Sequence, residues 1–378
     1  MIVKGLCISD IHFGLPQSQR FYDELSIVKD YIAKNKLDVI FINGDYFDRK
    51  LSFNEPAALI AMQFFYELRE LCIKKKIKLR LIHGTLSHER NQIEMFNKFA
   101  SPYLDMKIFN TVTEEELFPG FNVLYVPEEY PVNAEEYYRE ARSKEYSAMM
   151  MHCMWDFIAI DSMLEQANRT DFQTAPIFIY EEWKNCIKHG FAACGHIHKR
   201  HTYKKKIFYP GSFSSWDFTD ISERGFLTFS YDTEKKYYNV QFVDNTLCPT
   251  FGTIKSSDLG LNLNECSVED IKSAIEPLSE QYDYFRLDIG DMPSDKLELV
   301  KRMYKDNPKI KLKIEEKKSY VTTTKDDRFA KYEYIFKNTL PVEEVVARFI
   351  KEELSEMEGA ENITPEQIKD IITKEGSE

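Results

Sequence analysis

The chain has 378 residues, 43% hydrophobic and 30% charged, with a formal net charge of −12 and a pI near 5.4. That length accommodates one large domain and a smaller one with a sizeable core, in a soluble globular protein. No apolar stretch approaches the ~20 residues of a membrane span, and the acid excess is not the usual footprint of an autonomous nucleic-acid binder. That last argument weakens where cations neutralise site carboxylates or where local basic stretches meet phosphates. Met1-Ile2-Val3-Lys4-Gly5 runs straight into a strand-like segment without a signal-peptide layout. The seven cysteines show no CxxC spacing, and several sit in apolar runs. They read as reduced, buried thiols, and the expected location is the cytoplasm.

In chain order, Ile2–Ser9 is strand-like and ends at Ser9-Asp10-Ile11-His12. Phe21, Leu25, Val28 and Ile32 recur at helical spacing. Val39–Asn43 is a second strand and ends at Gly44-Asp45-Tyr46-Phe47-Asp48. Residues 55–76 read as a helix, and Leu79–His83 is a third strand ending at Gly84-Thr85-Leu86-Ser87-His88-Glu89. This alternation predicts an α/β sheet with helices packed on it. Ala148-Met149-Met150-Met151 closes on His152, residues 155–190 look largely helical, and Gly195-His196-Ile197-His198 follows another apolar run. Residues 206–243 hold short strands rich in Tyr and Phe. A first domain over 1–245, a polar linker over 246–268 and a small α+β domain over 269–330 are expected. The small domain contains strand-like Tyr284–Ile289 and Lys309–Ile314 around a helix at Ser294–Tyr304. Over 335–378, Val342, Val345, Val346, Phe349 and Ile350 form one apolar stripe, and Thr364, Pro365 and Gln367 suit the start of a second helix.

Five of the eight histidines lie in the segments that follow these strands. Neutral imidazole and carboxylate together hold borderline divalent metals, and two such metals close together activate water against a phosphate ester. Asp10 and His12, two apart at a strand end, can project to one side, as can His196 and His198. Asp45, after a strand and a glycine, can bridge two cations. His152 closes an apolar strand and needs a polar partner there. In open α/β sheets, ligands gather at the carboxyl ends of strands. Taken singly, each segment also reads as an ordinary turn or a hydrogen-bonded core histidine.

The ordered set resembles the calcineurin-like metallophosphoesterase superfamily, whose pattern is DxH, GDxxD, GNHD/E, H and GHxH. It is closer to SbcD-type nucleases, and among them to versions encoded by tailed phages. Tyr209-Pro210-Gly211-Ser212 is similar to a PGS or SGS element of that group. The resemblance implies a metallophosphoesterase β-sandwich flanked by helices, a small α+β capping domain and C-terminal helices that dock an SbcC-type coiled-coil ATPase. It implies two divalent cations, manganese in this family. One would be held by Asp10, His12, Asp45 and His198. The other would be held by Asp45, His152, His196 and a residue of the third motif. His88 would be the catalytic histidine, with Glu89 orienting it. The third motif lacks the usual asparagine, and Ser87 is the expected substitute, a poorer ligand that predicts weak binding of the second ion. Arg49, Lys199, Arg200, Lys204 and Lys205 are candidate DNA contacts. The implied activity is a 3′-to-5′ exonuclease on duplex ends and an endonuclease on single strands or hairpins. The implied assembly is a homodimer within a heterotetramer with the ATPase, in the bacterial host cytoplasm if phage-encoded. Two other readings stand beside this one: a phosphatase or small-molecule phosphodiesterase on the same scaffold, and a non-catalytic DNA-end-binding scaffold subunit.

Overall fold

The computed structural model describes residues 1–15, 18–158, 176–216, 218, 223–262, 265–288, 293–305, 310–313 and 364. The helices expected over 335–378 therefore lie outside the described residues, apart from Thr364. The strands are β1 (Ile2–Ile8), β2 (Val39–Asn43), β3 (Lys78–Ile82), β4 (Met106–Phe109), β5 (Thr113–Phe118), β6 (Phe121–Val126), β7 (Ala148–His152), β8 (Met154–Trp155), β9 (Ile177–Phe178), β10 (Phe191–Gly195), β11 (His201–Tyr203), β12 (Ile207–Tyr209), β13 (Gly225–Asp232), β14 (Tyr237–Asp244), β15 (Phe251–Lys255), β16 (Tyr284–Asp288) and β17 (Ile310–Lys313). Helices α1 (Ser18–Glu24), α2 (Ser26–Lys34) and α3 (Pro56–Lys75) join the first strands.

Two six-stranded mixed sheets form the body, in the orders β14-β13-β1-β2-β3-β4 and β11-β12-β10-β7-β6-β5. Their central strands β2, β7 and β10 bury both faces, which is why the sequence shows continuous apolar runs there rather than alternation. Val3, Cys7, Val39 and Phe41 of the first sheet meet Val123, Tyr125, Ala148, Met150 and Ala193 of the second. The alternate residues Leu6, Ile8, Ile40 and Ile42 point the other way, onto Val28, Ile32, Phe64, Phe65 and Leu68 of the helices. On the far side, Leu124, Met149, Met151 and Cys194 pack under Tyr138, Trp155 and Trp183. The result is a helix–sheet–sheet–helix stack with a core in each of its interlayers. Helix α3 starts with Pro56 at its first turn, where a missing N–H costs nothing.

β1, β2 and β3 are mutually parallel, as are β6, β7 and β10. The loops leaving the carboxyl ends of both triplets supply the residues of the site.

One expectation is corrected here. Part of the segment read as a linker is strand β15, paired in parallel with β16. Strands β15-β16-β17 form a separate three-stranded sheet, all parallel, whose strands are joined by segments carrying the helices Val268–Ser279 and Ser294–Tyr304. Within 155–190, the described residues are helical at 156–158 and at Tyr180–Trp183 and also carry the end of β8 and all of β9; 159–175 lie outside the described residues. All seven cysteines are free, and among the described residues no helix is long and apolar enough to cross a membrane.

Candidate metal centre

Asp10, His12, Asp45 and His196 have φ of 50°, 53°, 47° and 87°. Left-handed backbone at non-glycine residues costs of order 1–3 kcal/mol each and persists only where neighbours over-determine it. Here the loops brace one another. Asp10 N–H donates to Gly44 O at 3.1 Å and His12 N–H to Asp45 O at 2.9 Å. His196 N–H donates to Asp10 Oδ1 at 2.9 Å. Gly84 allows the third loop to lie against the second, since a Cβ there would sit 2.1 Å from Asp45 N. Gly44 combines a φ of 80° with the His152 ring, which a Cβ would meet at 2.2 Å.

Asp10, His12 and His198 form one ligand group. His12 Nε2 lies 3.0 Å from His198 Nε2 and 3.7 Å from Asp45 Oδ2. Two neutral imidazoles cannot face lone pair to lone pair at that distance; a proton or a cation must lie between them. His12 Nδ1 is 3.3 Å from Asp48 Oδ1, so a carboxylate behind the ring leaves Nε2 for the site. His198 is positioned by the Pro210-Gly211-Ser212 turn: Ser212 N–H donates to His198 O at 3.1 Å, and Arg224 donates to both His198 O and Ser212 Oγ.

The second group is Glu128, His152 and His196, with Asp45 shared. Asp45 Oδ2 is 3.2 Å from His152 Nε2, so one carboxylate oxygen reaches toward both groups. His152 Nδ1 donates to Asn43 O at 2.8 Å, which fixes the tautomer that leaves Nε2 free for a ligand role. The third-motif residue in this group is Thr85, not Ser87. Thr85 Oγ1 lies 3.2 Å from Asp45 Oδ2, 3.1 Å from Glu128 Oε2 and 3.4 Å from His152 Nε2. Ser87 is exposed on the single helical turn Leu86–Glu89. The two residues between Gly84 and His88 beyond the family spacing are absorbed in that turn, so the residue directly after the glycine keeps its place. Glu128 was not anticipated; it follows β6 in an unremarkable Pro127-Glu128-Glu129 run.

His88 is half-buried with its ring centroid 5.1 Å from that of His12. Its partner is not Glu89. His88 Nδ1 donates to Asp48 O at 2.6 Å. Glu89 is buried and accepts from Tyr46 N–H at 2.6 Å and Gly84 N–H at 2.9 Å. Its work is to tie the second loop to the third; burial, reinforced by Asp45, pushes its carboxyl up to about 7.

The charges of the site lean on one another. Burial raises the Asp45 carboxyl, but His152 and then His12 outweigh it and hold it well below the usual carboxylate range. Burial opposes the His152 imidazolium, yet Asp45, Asp10 and Glu128 push its pKa well above the ordinary value. Burial, and then His12, depress His198. Burial raises Asp10, and its buried Oδ2 has no hydrogen-bond partner among the described residues. An orphaned buried carboxylate oxygen beside facing imidazoles calls for an added cation. The oxygen and nitrogen donors fit two borderline divalent ions such as manganese.

The candidate DNA contacts divide. Lys199, Lys204 and Lys205 are exposed, the last two in the β11–β12 turn with φ of 49° and 54°. Arg200 is engaged with Asp244 Oδ1 at 2.8 Å and lies over the Phe242 ring. Arg49 pairs with Glu55. An aromatic neighbour was missed: the half-buried Trp216 ring lies 5.1 Å from His12 and 5.4 Å from His198, centroid to centroid.

Residues 4–200 match the calcineurin-like phosphoesterase family. The chain belongs to that family. No curated protein matches it. Among solved structures it is similar to TT1561 of Thermus thermophilus, at 14% identity over 64% of this chain and 99% of that one, with a TM-score of 0.33. It is also similar to nuclease MPE of Pseudomonas putida, at 14% identity over 61% and 85%, with a TM-score of 0.25. The two ligand groups are thus those of a metal-dependent phosphoesterase.

Proposed function

We propose that this phosphoesterase is a manganese-dependent DNA nuclease, trimming duplex ends from the 3′ side and cutting single strands or hairpins. The observation that carries the reading is Asp45, whose Oδ2 lies 3.7 Å from His12 Nε2 of one ligand group and 3.2 Å from His152 Nε2 of the other. When bound, two divalent ions neutralise the charge developing on a phosphate ester and lower the pKa of water. The chain's own residues do the rest. Asp45 spans both groups. His88 spends Nδ1–H on the Asp48 carbonyl, so its Nε2 is the nitrogen that can orient the phosphate or protonate the leaving oxygen.

DNA, rather than a small phosphate ester, is favoured by what surrounds the ligands. Trp216 offers a ring on which a base can stack. Downstream of it, Phe218 meets Phe251 of β15 at 5.3 Å, edge to face, and Arg286 of β16 lies 5.3 Å over Phe218. The segment beside the site therefore leads into the three-stranded sheet, an addition a small-molecule phosphatase does not need. The proposed partner is an SbcC-type coiled-coil ATPase gripping residues 335–378, tested by co-purification of the ATPase with a chain ending at 335.

The deciding assay uses 3′-labelled linear duplex with manganese, wild type beside Asp45→Asn. Wild type should release label, and the mutant should fall by about 10³-fold or more, since the several kcal/mol supplied by the ions is lost. Release of label by neither protein, with single-stranded and hairpin DNA also left intact, would reject the nuclease reading and leave the phosphatase and scaffold readings.

A further inference from the structure

The asparagine missing from the third motif leaves a gap that Thr85 alone does not close. A threonine hydroxyl sits one bond nearer the backbone than an asparagine amide oxygen, so it falls roughly 1.3–1.5 Å short of the same point. In this chain another side chain approaches from a different strand. Glu128, 8% exposed, leaves the end of β6 with its N–H donating to His83 O at 3.3 Å. Its Oε1 accepts from Tyr130 OH, which turns Oε2 inward. Oε2 lies 3.3 Å from His196 Nδ1 and 3.8 Å from His152 Nε2, and 3.1 Å from Thr85 Oγ1. That hydroxyl has one proton and faces two carboxylates, Asp45 and Glu128, so it cannot satisfy both.

We propose that Glu128 is a ligand of the second cation, and that it takes, braced by Thr85 and Tyr130, the coordination place of the absent amide. The second group then holds two carboxylates and two imidazoles where an amide would give one fewer charge. It binds its ion tightly instead of weakly and prefers oxygen-seeking manganese over softer ions. The proposal rests on the two-cation reading of the site.

Manganese binding to the full chain, measured by equilibrium dialysis with free Mn²⁺ followed by electron paramagnetic resonance, tests it without reference to activity. Wild type should bind two ions. Glu128→Ala should bind one tightly, with the second weakened by about 100-fold or more, and adding Thr85→Asn should restore it by returning the amide. Glu128→Gln keeps the shape and exchanges a carboxylate for an amide; its second ion should weaken by roughly tenfold. Two ions held with wild-type affinity by Glu128→Gln would overturn the assignment, even if Glu128→Ala failed to fold. A single ion in wild type would instead overturn the two-cation reading on which it rests.

Discussion

Strand β3 borders two clusters built around buried charges, and they solve the same problem in opposite ways. Arg80, 1% exposed, donates from Nε and Nη2 to the two Glu115 oxygens at 2.8 and 2.9 Å and pairs with Asp105 Oδ1 at 2.8 Å. Glu115 also accepts from Lys107 Nζ at 2.7 Å and Tyr125 OH at 2.9 Å. Every carboxylate there faces a cation built into the chain. Past the end of the same strand, Asp10, Asp45 and Glu128 face imidazoles, a hydroxyl and backbone N–H groups. One Asp10 oxygen is left with no hydrogen-bond partner among the described residues. The first cluster is complete as folded. The second is complete only with ions from solution, and the strained backbone of Asp10, His12 and Asp45 is the cost of holding it open. Structural and functional charge clusters are told apart by who supplies the positive charge.

His88→Ala separates ion holding from chemistry within the second cluster. Turnover of DNA should fall by about 10²–10⁴-fold, the range for losing a general acid or base, while two manganese ions stay bound by dialysis. Loss of an ion together with turnover would make His88 a ligand. Arg80→Ala should act on the first cluster alone. It removes the buried cation from Glu115, which keeps Lys107 and Tyr125, and from the exposed Asp105, which keeps Lys78, and should lower unfolding stability by about 1–3 kcal/mol, by the same amount with or without manganese in a denaturant titration. A manganese-dependent loss would mean that the two clusters are coupled through β3. The wild-type acid limb sharpens the point. Burial raises the Glu115 carboxyl, but Arg80, Lys107 and Tyr125 outweigh it and hold it down at about 2. Its folded pKa lies below its unfolded one. Its contribution, ~3 kcal/mol at most, is thus present above pH ~4.3 and lost as pH falls toward 2. Arg80→Ala should flatten that limb.

The difference between the clusters also explains how much the sequence revealed. Strands buried on both faces give uninterrupted apolar runs, so Val39–Asn43 is legible with its ends, and β1 and β3 to within a residue. Residues that end or follow such strands are legible too: Asp10, Asp45, His152 and His196 all stand at the carboxyl ends of their strands. What failed was anything set by local backbone detail or by distant pairing. Whether Thr85 or Ser87 enters the site depends on the single helical turn at Leu86–Glu89. Glu89 looks like a partner for its neighbour His88, yet its partners are the N–H groups of Tyr46 and Gly84. Glu128 carries no motif, and only its place after the apolar run Phe121–Val126 hinted at it. β15 reads as linker in the sequence because a strand at the edge of a three-stranded sheet is half-buried and mixes Gly and Thr with its apolar residues.

Trp216 is the smallest effect and the one that bears on substrate. Its ring stands edge-on to His12 and His198, which permits two roles. As a packing residue it would keep the imidazoles in place, and Trp216→Ala would then disturb ion binding and kcat. As a stacking platform it would hold a nucleotide base beside the ligands, and the loss would appear in KM. Base–aromatic stacking contributes about 1–3 kcal/mol, so KM for DNA should rise by roughly 5- to 150-fold with kcat and the manganese count unchanged. Trp216→Phe, which keeps a flat face, should recover most of that. A fall in kcat with KM unmoved would assign the ring to the ligand shell. The proposed preference for DNA would then rest on the three-stranded sheet that begins at β15.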